Sequence, residues 1–219
     1  HSADVRCGDA GECLEAGDGH VDGGVHGIAL IGLVGTVISS TLVAYGFARL
    51  RFPGKNILFL IMLGTMMLPG HIKLIPLFAI YNRLGWIDTY WPLIVPAFFG
   101  SPFFIFLMVQ FFRQLPRELD EAAMIDGCSP YKIYWAIIIP LSLPAMATAA
   151  IFSFIWTWDD FLAPLIYLND IQNYTVPLAL RLFVDAESQS AFGQLFAMSV
   201  LSLVPVVIFF VVFQRFIIR

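Results

Sequence analysis

The chain has 219 residues, of which 59% are hydrophobic and only 13% are charged, whereas a soluble domain carries about 25% charged residues. A mean hydropathy of +0.81 excludes an ordinary soluble domain, because one core cannot bury so much apolar surface. The formal net charge is -4, but six of the sixteen acidic residues lie in the first 22 positions. The chain has no basic cluster and its aromatic residues lie in apolar runs, so we expect no nucleic acid partner.

The first 25 residues differ in composition from the rest of the chain. They are rich in Gly and Asp, lack an apolar period and do not form a signal peptide. We predict a disordered or non-homologous leader over 1–25 and one transmembrane domain over 26–219. Two of the three cysteines, Cys7 and Cys13, lie in the leader and the third is Cys128. An odd count without a CxxC pair predicts neither a disulfide framework nor a metal site.

Five apolar stretches of bilayer length follow the leader. A membrane-spanning helix needs about 20 apolar residues to cross roughly 30 Å of hydrocarbon. Backbone polar groups must be satisfied within the segment, so these continuous runs predict helices. Several runs contain proline, which favours a packed bundle with a pathway over a simple anchor. The predicted spans are 27–48, 57–80, 91–112, 141–167 and 196–218.

The distribution of Lys and Arg predicts the orientation. Eight of them lie in the links 49–56 and 113–140 and in the C-terminal tail, against three on the opposite side outside the leader. Cytoplasmic loops carry the excess of positive residues. We therefore place the 113–140 loop and the C-terminus in the cytoplasm, and the start of the first span outside.

The loop between the third and fourth spans predicts a helix, a sharp turn and a second helix. Pro116 suits the first turn of a helix, and Gly127 stands where a left-handed residue would end it. Ser129 is a suitable N-cap for the second helix. We expect Ala122 and Ala123 on the surface of the first helix, where small side chains allow a partner to approach. From the residues alone, a docking helix and a plain amphipathic connector both remain open.

The same loop carries a resemblance to a known family. Glu121-Ala122-Ala123, Gly127, and then Pro140 and Pro144 resemble the EAA loop of binding-protein-dependent ABC importer permeases. Further segments resemble the carbohydrate branch of that family, of the maltose permease second-subunit type: 45–54, 67–69, 75–77, 84–90 and 158–165. The resemblance runs from about residue 27 to 219.

The resemblance implies an all-α membrane protein, a transmembrane helix bundle of the ABC importer permease type. It implies a multi-pass permease subunit in the plasma (inner) membrane of a prokaryote that imports sugars or related polyols. The expected partners are a dimer of ATP-binding ABC subunits, a second homologous permease subunit and an extracytoplasmic solute-binding protein. The expected coupling residues in the 116–130 loop are Glu121, Ala122, Ala123, Asp126 and Gly127. Members usually have six spans, so a five-span count fits a chain in which 1–25 replace the first span.

Acidic residues in the fourth span are candidates for a solute path. Asp159 and Asp160 follow Trp158 in an otherwise apolar stretch, and intramembrane acids are costly. Carboxylates and aromatic rings suit the hydroxyls and ring faces of a sugar. The alternative is that the acids lie near the outer water interface or cap a helix break near Pro164.

Two other function classes were considered. An ion-coupled secondary transporter would use Asp159 and Asp160 as its proton or sodium site. An intramembrane enzyme would need a catalytic cluster, and the sequence offers no catalytic set, metal ligand set or phosphate-binding GxxxxGK[ST] loop. We therefore expect no cofactor, no metal and no ATP hydrolysis by this chain.

Overall fold

The fold is described from a computed structural model, which describes residues 21–170, 173–175, 177–178 and 192–217. Within these ranges, every regular element is a helix. The predicted all-α class is therefore confirmed. Residues 1–20, which make up most of the predicted leader, and Arg181 lie outside the described residues.

The first helix, α1 (Val21–Arg49), is the long central element. Helix α1 begins inside the predicted leader 1–25. The last five residues of that leader are therefore helical rather than irregular. Helix α1 packs against a 3-10 turn (Val95–Phe99), against the short helix just before that turn (Trp91–Ile94), and against the helices that run Pro102–Gln114 and Leu143–Trp158. The Ser39 hydroxyl donates to the Ala97 carbonyl at 3.2 Å, which fixes α1 to the 3-10 turn.

The second predicted span is not one helix. Helix α2 (Lys55–Met66) and helix α3 (Gly70–Arg83) are separated by a break at Pro69. Proline lacks an amide donor and restricts the residue before it to extended conformations. Here that restriction divides a continuous apolar run. With 12 and 14 residues, each helix is shorter than the about 20 residues that a span requires.

Helices α4 to α11 follow within the described residues. Their bounds are α4 (Trp91–Ile94), α5 (Pro102–Gln114), α6 (Glu118–Ile125), α7 (Pro130–Ile133), α8 (Ile139–Leu141), α9 (Leu143–Trp158), α10 (Leu162–Tyr167) and α11 (Phe192–Ile217). A π-helical segment (Tyr134–Ile138) joins α7 to α8.

Three stretches are long and apolar enough to cross a membrane: Gly27–Arg49, Trp91–Gln114 and Ser199–Phe216. A fourth is possible if Pro130–Leu141 and Leu143–Trp158 count as one span, although a bend of 75° separates them. The fourth predicted span also ends earlier than expected, because α9 stops at Trp158 and α10 is a separate helix. The described residues thus contain three or four such spans, and the five-span count stays a prediction.

The buried apolar residues form two clusters on opposite halves of α1. One joins the end of α1 to α5, α6 and the segment after α7, and includes Ala44, Phe112 and Ile138. The other joins the beginning of α1 to α9 and includes Ala29 and Phe154. Helix α9 contributes four buried alanines, Ala145, Ala147, Ala149 and Ala150, which allow helices to approach closely within a membrane.

Positive residues from two links converge at one end of the bundle. The pKa of Lys55 is lowered, first by burial and then by the charges of Arg113, Arg117 and Arg51. These residues come from the links on either side of α2–α5. Their convergence agrees with the predicted cytoplasmic side.

At the opposite end, Asp88 ties two loops together. It adopts a left-handed backbone with φ of 64°. Its carboxylate accepts the N–H groups of Asn169 at 3.0 Å and Asp170 at 2.9 Å, and its own N–H donates to the Tyr167 carbonyl at 2.8 Å. The hydrogen bonds from Asp170 and Asn169 hold the pKa of Asp88 below its ordinary value of 3.8.

This tie should depend on pH. The pKa of Asp88 is lower in the folded protein than in the unfolded chain. Its carboxylate therefore stabilises the loop pair at pH values above the pKa of the unfolded chain. That stability is lost as the pH falls through the pKa of the folded protein. At pH values below about 4, we expect the amides of Asn169 and Asp170 to lose protection from hydrogen exchange. Asp88→Asn, which keeps one acceptor and tolerates a left-handed backbone, should remove the pH dependence.

The control for this experiment is Asp88→Gly. It keeps the backbone conformation but removes the acceptor, so protection should be low at every pH. Equal protection at residues 169 and 170 in Asp88→Gly and the native chain would contradict the role of the carboxylate.

Candidate functional site

The helix and turn that the sequence predicts for the 116–130 loop are present. Helix α6 starts at Glu118, so Pro116 lies before the helix rather than in its first turn. After α6, Gly127 has φ of 75°. The Cys128 N–H donates to the Ala123 carbonyl at 2.9 Å and the Gly127 N–H to the Met124 carbonyl at 3.0 Å. This pair of bonds is the Schellman motif, so the predicted left-handed C-cap is confirmed.

The second helix also starts as predicted. The Ser129 hydroxyl accepts the N–H of Lys132 at 3.4 Å and caps α7. Helix α7 continues through the π-helical segment and α8 to the 75° bend before α9. The loop therefore runs directly into the transmembrane helices.

The five predicted coupling residues divide between two faces of the loop. Glu121, Ala122, Asp126 and Gly127 are exposed. Ala123 is only 6% exposed and belongs to the apolar cluster at the end of α1. The expectation that both alanines lie on the surface was wrong for Ala123. Successive helical residues point about 100° apart, so the two alanines cannot share one face.

Two exposed apolar residues were missed by the sequence reasoning. Ile125 is 87% exposed and Met124 is also exposed, as are Ala122 and Gly127. Their position in the sequence, as an apolar pair at the end of a helix that begins with acidic residues, could have identified Met124 and Ile125 as surface residues. Exposed apolar residues of this kind are typical of a surface that a partner covers.

A buried ion pair, also missed, fixes α6 to α1. The Nη1 of Arg49 lies 3.0 Å from the Oδ2 of Asp120, and the two side chains are 5% and 14% exposed. The Nη2 of Arg49 donates to the Leu115 carbonyl at 2.9 Å. Arg49 was counted only as a positive residue of the link, because the sequence does not show which acid it meets.

Two tyrosines strengthen the same junction. The Tyr45 hydroxyl donates to the Pro130 carbonyl at 3.1 Å. The Tyr134 hydroxyl donates to the Thr41 hydroxyl at 3.0 Å. The two tyrosine rings pack with their centroids 5.1 Å apart. The loop is therefore held to α1 both before and after its exposed turn.

A cavity of about 250 Å³ lies towards the other end of α1. It is bounded by α1, the start of α5, the end of α9 and the segment after α10. Its lining contains one acid, one indole and four hydroxyls, together with apolar side chains: Ile28, Thr36, Leu93, Phe104, Ser153, Trp156, Thr157, Asp160, Pro164 and Thr175.

Of the three predicted solute-path residues, the structure brings only Asp160 to this cavity. Trp158 is buried, stacks on Phe154 and donates its Nε1–H to the Ser202 carbonyl at 3.1 Å. Asp159 is exposed. The carboxylate of Asp160 accepts the Ala163 N–H at 3.3 Å and so also caps α10. Asp160 therefore both caps a helix near Pro164, as one alternative predicts, and lines a cavity, as the other predicts.

Trp156 and Thr175 are cavity residues that the sequence did not single out. Trp156 is half-exposed and packs on Phe103 and Phe104, with centroids 4.9 Å and 5.3 Å away. Thr175 is 5% exposed. Within the part of the chain that the structure describes, its hydroxyl has no hydrogen-bond partner. A buried polar atom without a partner is costly, so this hydroxyl is available for a further hydrogen bond.

Across the described residues, no group of three or more His, Cys, Asp or Glu side chains is arranged to hold a metal ion.

Gly127 should be sensitive to substitution because of its backbone alone. A Cβ at Gly127 would have no atom within 4 Å, so a clash with neighbouring residues does not contribute to the cost of substitution. We expect Gly127→Ala to lower the free energy of unfolding by about 1 to 2 kcal/mol, the cost of a left-handed non-glycine residue. Gly127→Asn should cost less, since Asn tolerates this conformation. Chemical denaturation in detergent measures both, and an equal loss in the two variants would contradict the backbone explanation.

Comparison with known proteins agrees with this geometry. The family described as "Binding-protein-dependent transport system inner membrane component" matches residues 30–219. The probable ABC transporter permease protein YurM of Bacillus subtilis (strain 168) is 36% identical over 185 residues. That match covers 84% of this chain and 61% of YurM, so the chain spans about three fifths of that relative.

Two further relatives carry names that specify a solute. The trehalose/maltose transport system permease protein MalG of Thermococcus litoralis is 37% identical over 192 residues, which cover 87% of this chain and 69% of MalG. The arabinooligosaccharides transport system permease protein AraQ of Halalkalibacterium halodurans is 36% identical over 189 residues, or 86% of this chain and 67% of AraQ.

A solved structure shares the fold. It is the crystal structure of a bacterial ABC transporter involved in the import of the acidic polysaccharide alginate. A chain of that transporter superposes with a TM-score of 0.79 at 24% identity, covering 94% of this chain and 77% of the other. Together with the match over 30–219, these likenesses show that the chain belongs to the family of inner membrane components of binding-protein-dependent transport systems.

Proposed function

We propose that this chain is a transmembrane permease subunit of an ATP-driven, binding-protein-dependent importer of sugars. The observation that carries the proposal is the 116–130 loop, whose exposed turn is held against α1 at Asp120 and Pro130. ATP hydrolysis then belongs to a partner chain. A second permease subunit and an extracytoplasmic solute-binding protein complete the proposed assembly.

The exposed side of the loop is the proposed docking surface for the ATPase. It consists of Glu121, Ala122, Met124, Ile125 and Gly127, all exposed. Apolar side chains flanked by an acid suit a helix that sits in a groove of a partner. Ala123, which is buried, contributes instead to the attachment of the loop to α1.

The cavity is the proposed solute path. Its hydroxyls and the Asp160 carboxylate can exchange hydrogen bonds with a polyhydroxylated ligand, and Trp156 offers a ring face. A carboxylate disfavours an acidic solute, because like charges repel at short distance. The lining therefore supports a neutral sugar, in agreement with the names of the trehalose/maltose and arabinooligosaccharide relatives. The ion-coupled alternative is less well supported, since Asp159 is exposed while Asp160 caps α10.

Docking can be tested by co-purification with the ATPase. We expect the native chain and Gly127→Asn to retain the ATPase in detergent, and Gly127→Trp to lose it, because a large side chain fills the space against which the partner sits. Gly127→Asn is the matched control for the backbone. ATPase that co-purifies equally with Gly127→Trp would contradict docking at this turn.

An ion-coupled carrier would behave differently in transport. Uptake that survives ATP depletion and collapses with the ion gradient would replace the importer proposal with a secondary transporter.

The solute path can be tested at Thr175. Thr175→Val removes a hydroxyl that has no partner among the described residues, so stability should stay within about 1 kcal/mol or rise. Uptake of radiolabelled trehalose by the assembled transporter should fall about tenfold, the effect of about 1.4 kcal/mol of lost binding.

The matched control is Thr148→Val. The Thr148 hydroxyl donates to the Pro144 carbonyl at 2.9 Å and does not line the cavity, so uptake should change little. Full uptake in Thr175→Val would place the solute path elsewhere. The native assembly could fail to take up trehalose and yet import another neutral sugar. That result would change the proposed solute, and the path would then be tested with that sugar.

A further inference from the structure

One stripe of α1 contacts the 116–130 loop and the residues on either side of it. Thr41, Tyr45 and Arg49 are spaced four residues apart, so they lie on one face over three successive turns. We call these three residues the tether stripe. Each contacts a different part of the loop, in the order Tyr134, Pro130 and Asp120.

The tether stripe holds both flanks of α6. Arg49 binds Leu115 before the helix and Asp120 inside it, while Tyr45 binds Pro130 after the turn. Ala48 and Ala123 are both buried in the apolar cluster at the end of α1, which adds apolar packing to these polar contacts. Helix α6 therefore cannot shift or rotate while α1 stays in place, unless these contacts break.

The other half of the same helix forms a wall of the cavity. Ile28 and Thr36 line the cavity, and α1 is helical throughout Val21–Arg49. At 1.5 Å per residue, Thr36 lies about 20 Å along the helix from Arg49. A displacement applied at Arg49 is thus carried to the cavity within one continuous helix.

We propose that the tether stripe makes α1 the element that transmits movement of the docked loop to the cavity, with Arg49 and Asp120 as the positioning residues. This inference rests on the proposed docking of the loop to an ATPase. The ion pair is the decisive contact because it is buried and directional. A buried charge that loses its partner is strongly unfavourable, so the pair holds one register between α6 and α1.

The test uses the double variant Arg49→Met and Asp120→Leu in the complete complex. Apolar side chains of similar volume can replace a buried ion pair without loss of folding, so packing is kept while the directional contact is removed. Asp120→Asn is a second variant, which keeps the shape of the side chain but not its charge. Arg113→Met is the matched control: Arg113 is exposed and also stands at the cytoplasmic end of a helix.

The reporter is a cysteine at Gly27, near the cavity end of α1. A Cβ there meets no atom within 4 Å, so Gly27→Cys should be accommodated. The three native cysteines, Cys7, Cys13 and Cys128, are first replaced by serine. The rate of maleimide labelling is measured with and without a non-hydrolysable ATP analogue, after co-purification of the ATPase has been confirmed for each variant.

In the native background and in Arg113→Met, we expect the analogue to change the labelling rate about fivefold or more, the lower range of allosteric coupling. In the double variant and in Asp120→Asn, the change should fall below about twofold although the ATPase still co-purifies. A nucleotide response that persists in both variants, or that is absent from the native complex with ATPase bound, would overturn the inference. A native chain that binds no ATPase would instead refute the proposed function.

Discussion

The junction between α1 and the 116–130 loop is organised by one buried charge. An arginine at the end of a membrane helix would normally extend towards water, but Arg49 is turned inward and only 5% exposed. Burying a guanidinium requires an opposite charge and further acceptors. Asp120 and the Leu115 carbonyl bind its two terminal nitrogens, while its Nε has no partner among the described residues. This pairing fixes α6 against α1, with Ala123 buried and Glu121, Ala122, Met124 and Ile125 exposed.

Both halves of the molecule contain buried polar groups. Where α1 meets the 116–130 loop, Thr41, Tyr45 and Tyr134 have their hydroxyls in hydrogen bonds within the chain, whereas Arg49 Nε and Asp120 Oδ1 are buried without a partner among the described residues. At the cavity, Thr175 keeps a hydroxyl that the described part of the chain does not use. Asp160 does both, since its carboxylate caps α10 and lines the cavity. Buried polar atoms that the described residues leave without a partner therefore occur at both sites.

Local features of the fold could be predicted because local chemistry determines them. The left-handed Gly127 and the Ser129 cap depend on the residues themselves and on their nearest neighbours. The all-helical class follows from the requirement that a membrane segment satisfies its own backbone. The position of Pro69 within a long run was known, but whether a proline is absorbed or divides a span depends on its neighbours.

Features that join distant parts of the chain could not be predicted. Arg49 and Asp120 are far apart in sequence, and several acids in the loop were equally suitable partners for the arginine. The burial of Ala123 depends on the face that α6 turns towards α1, which the ion pair selects. Trp156 lines the cavity and Trp158 does not, because of the rotation of α9 about its axis. The sequence of this largely apolar helix carries no amphipathic pattern that would predict this rotation.

The length of α9 has a consequence for the surrounding lipid. With 16 residues, it rises only about 24 Å, which is less than the roughly 30 Å of hydrocarbon in an average bilayer. The 75° bend before Leu143 prevents the preceding helix from extending it. Lipid next to α9 must therefore thin, or water must reach down to Asp159 and Asp160. Either adjustment makes the acyl chain length of the host membrane a determinant of how easily the solute cavity is hydrated.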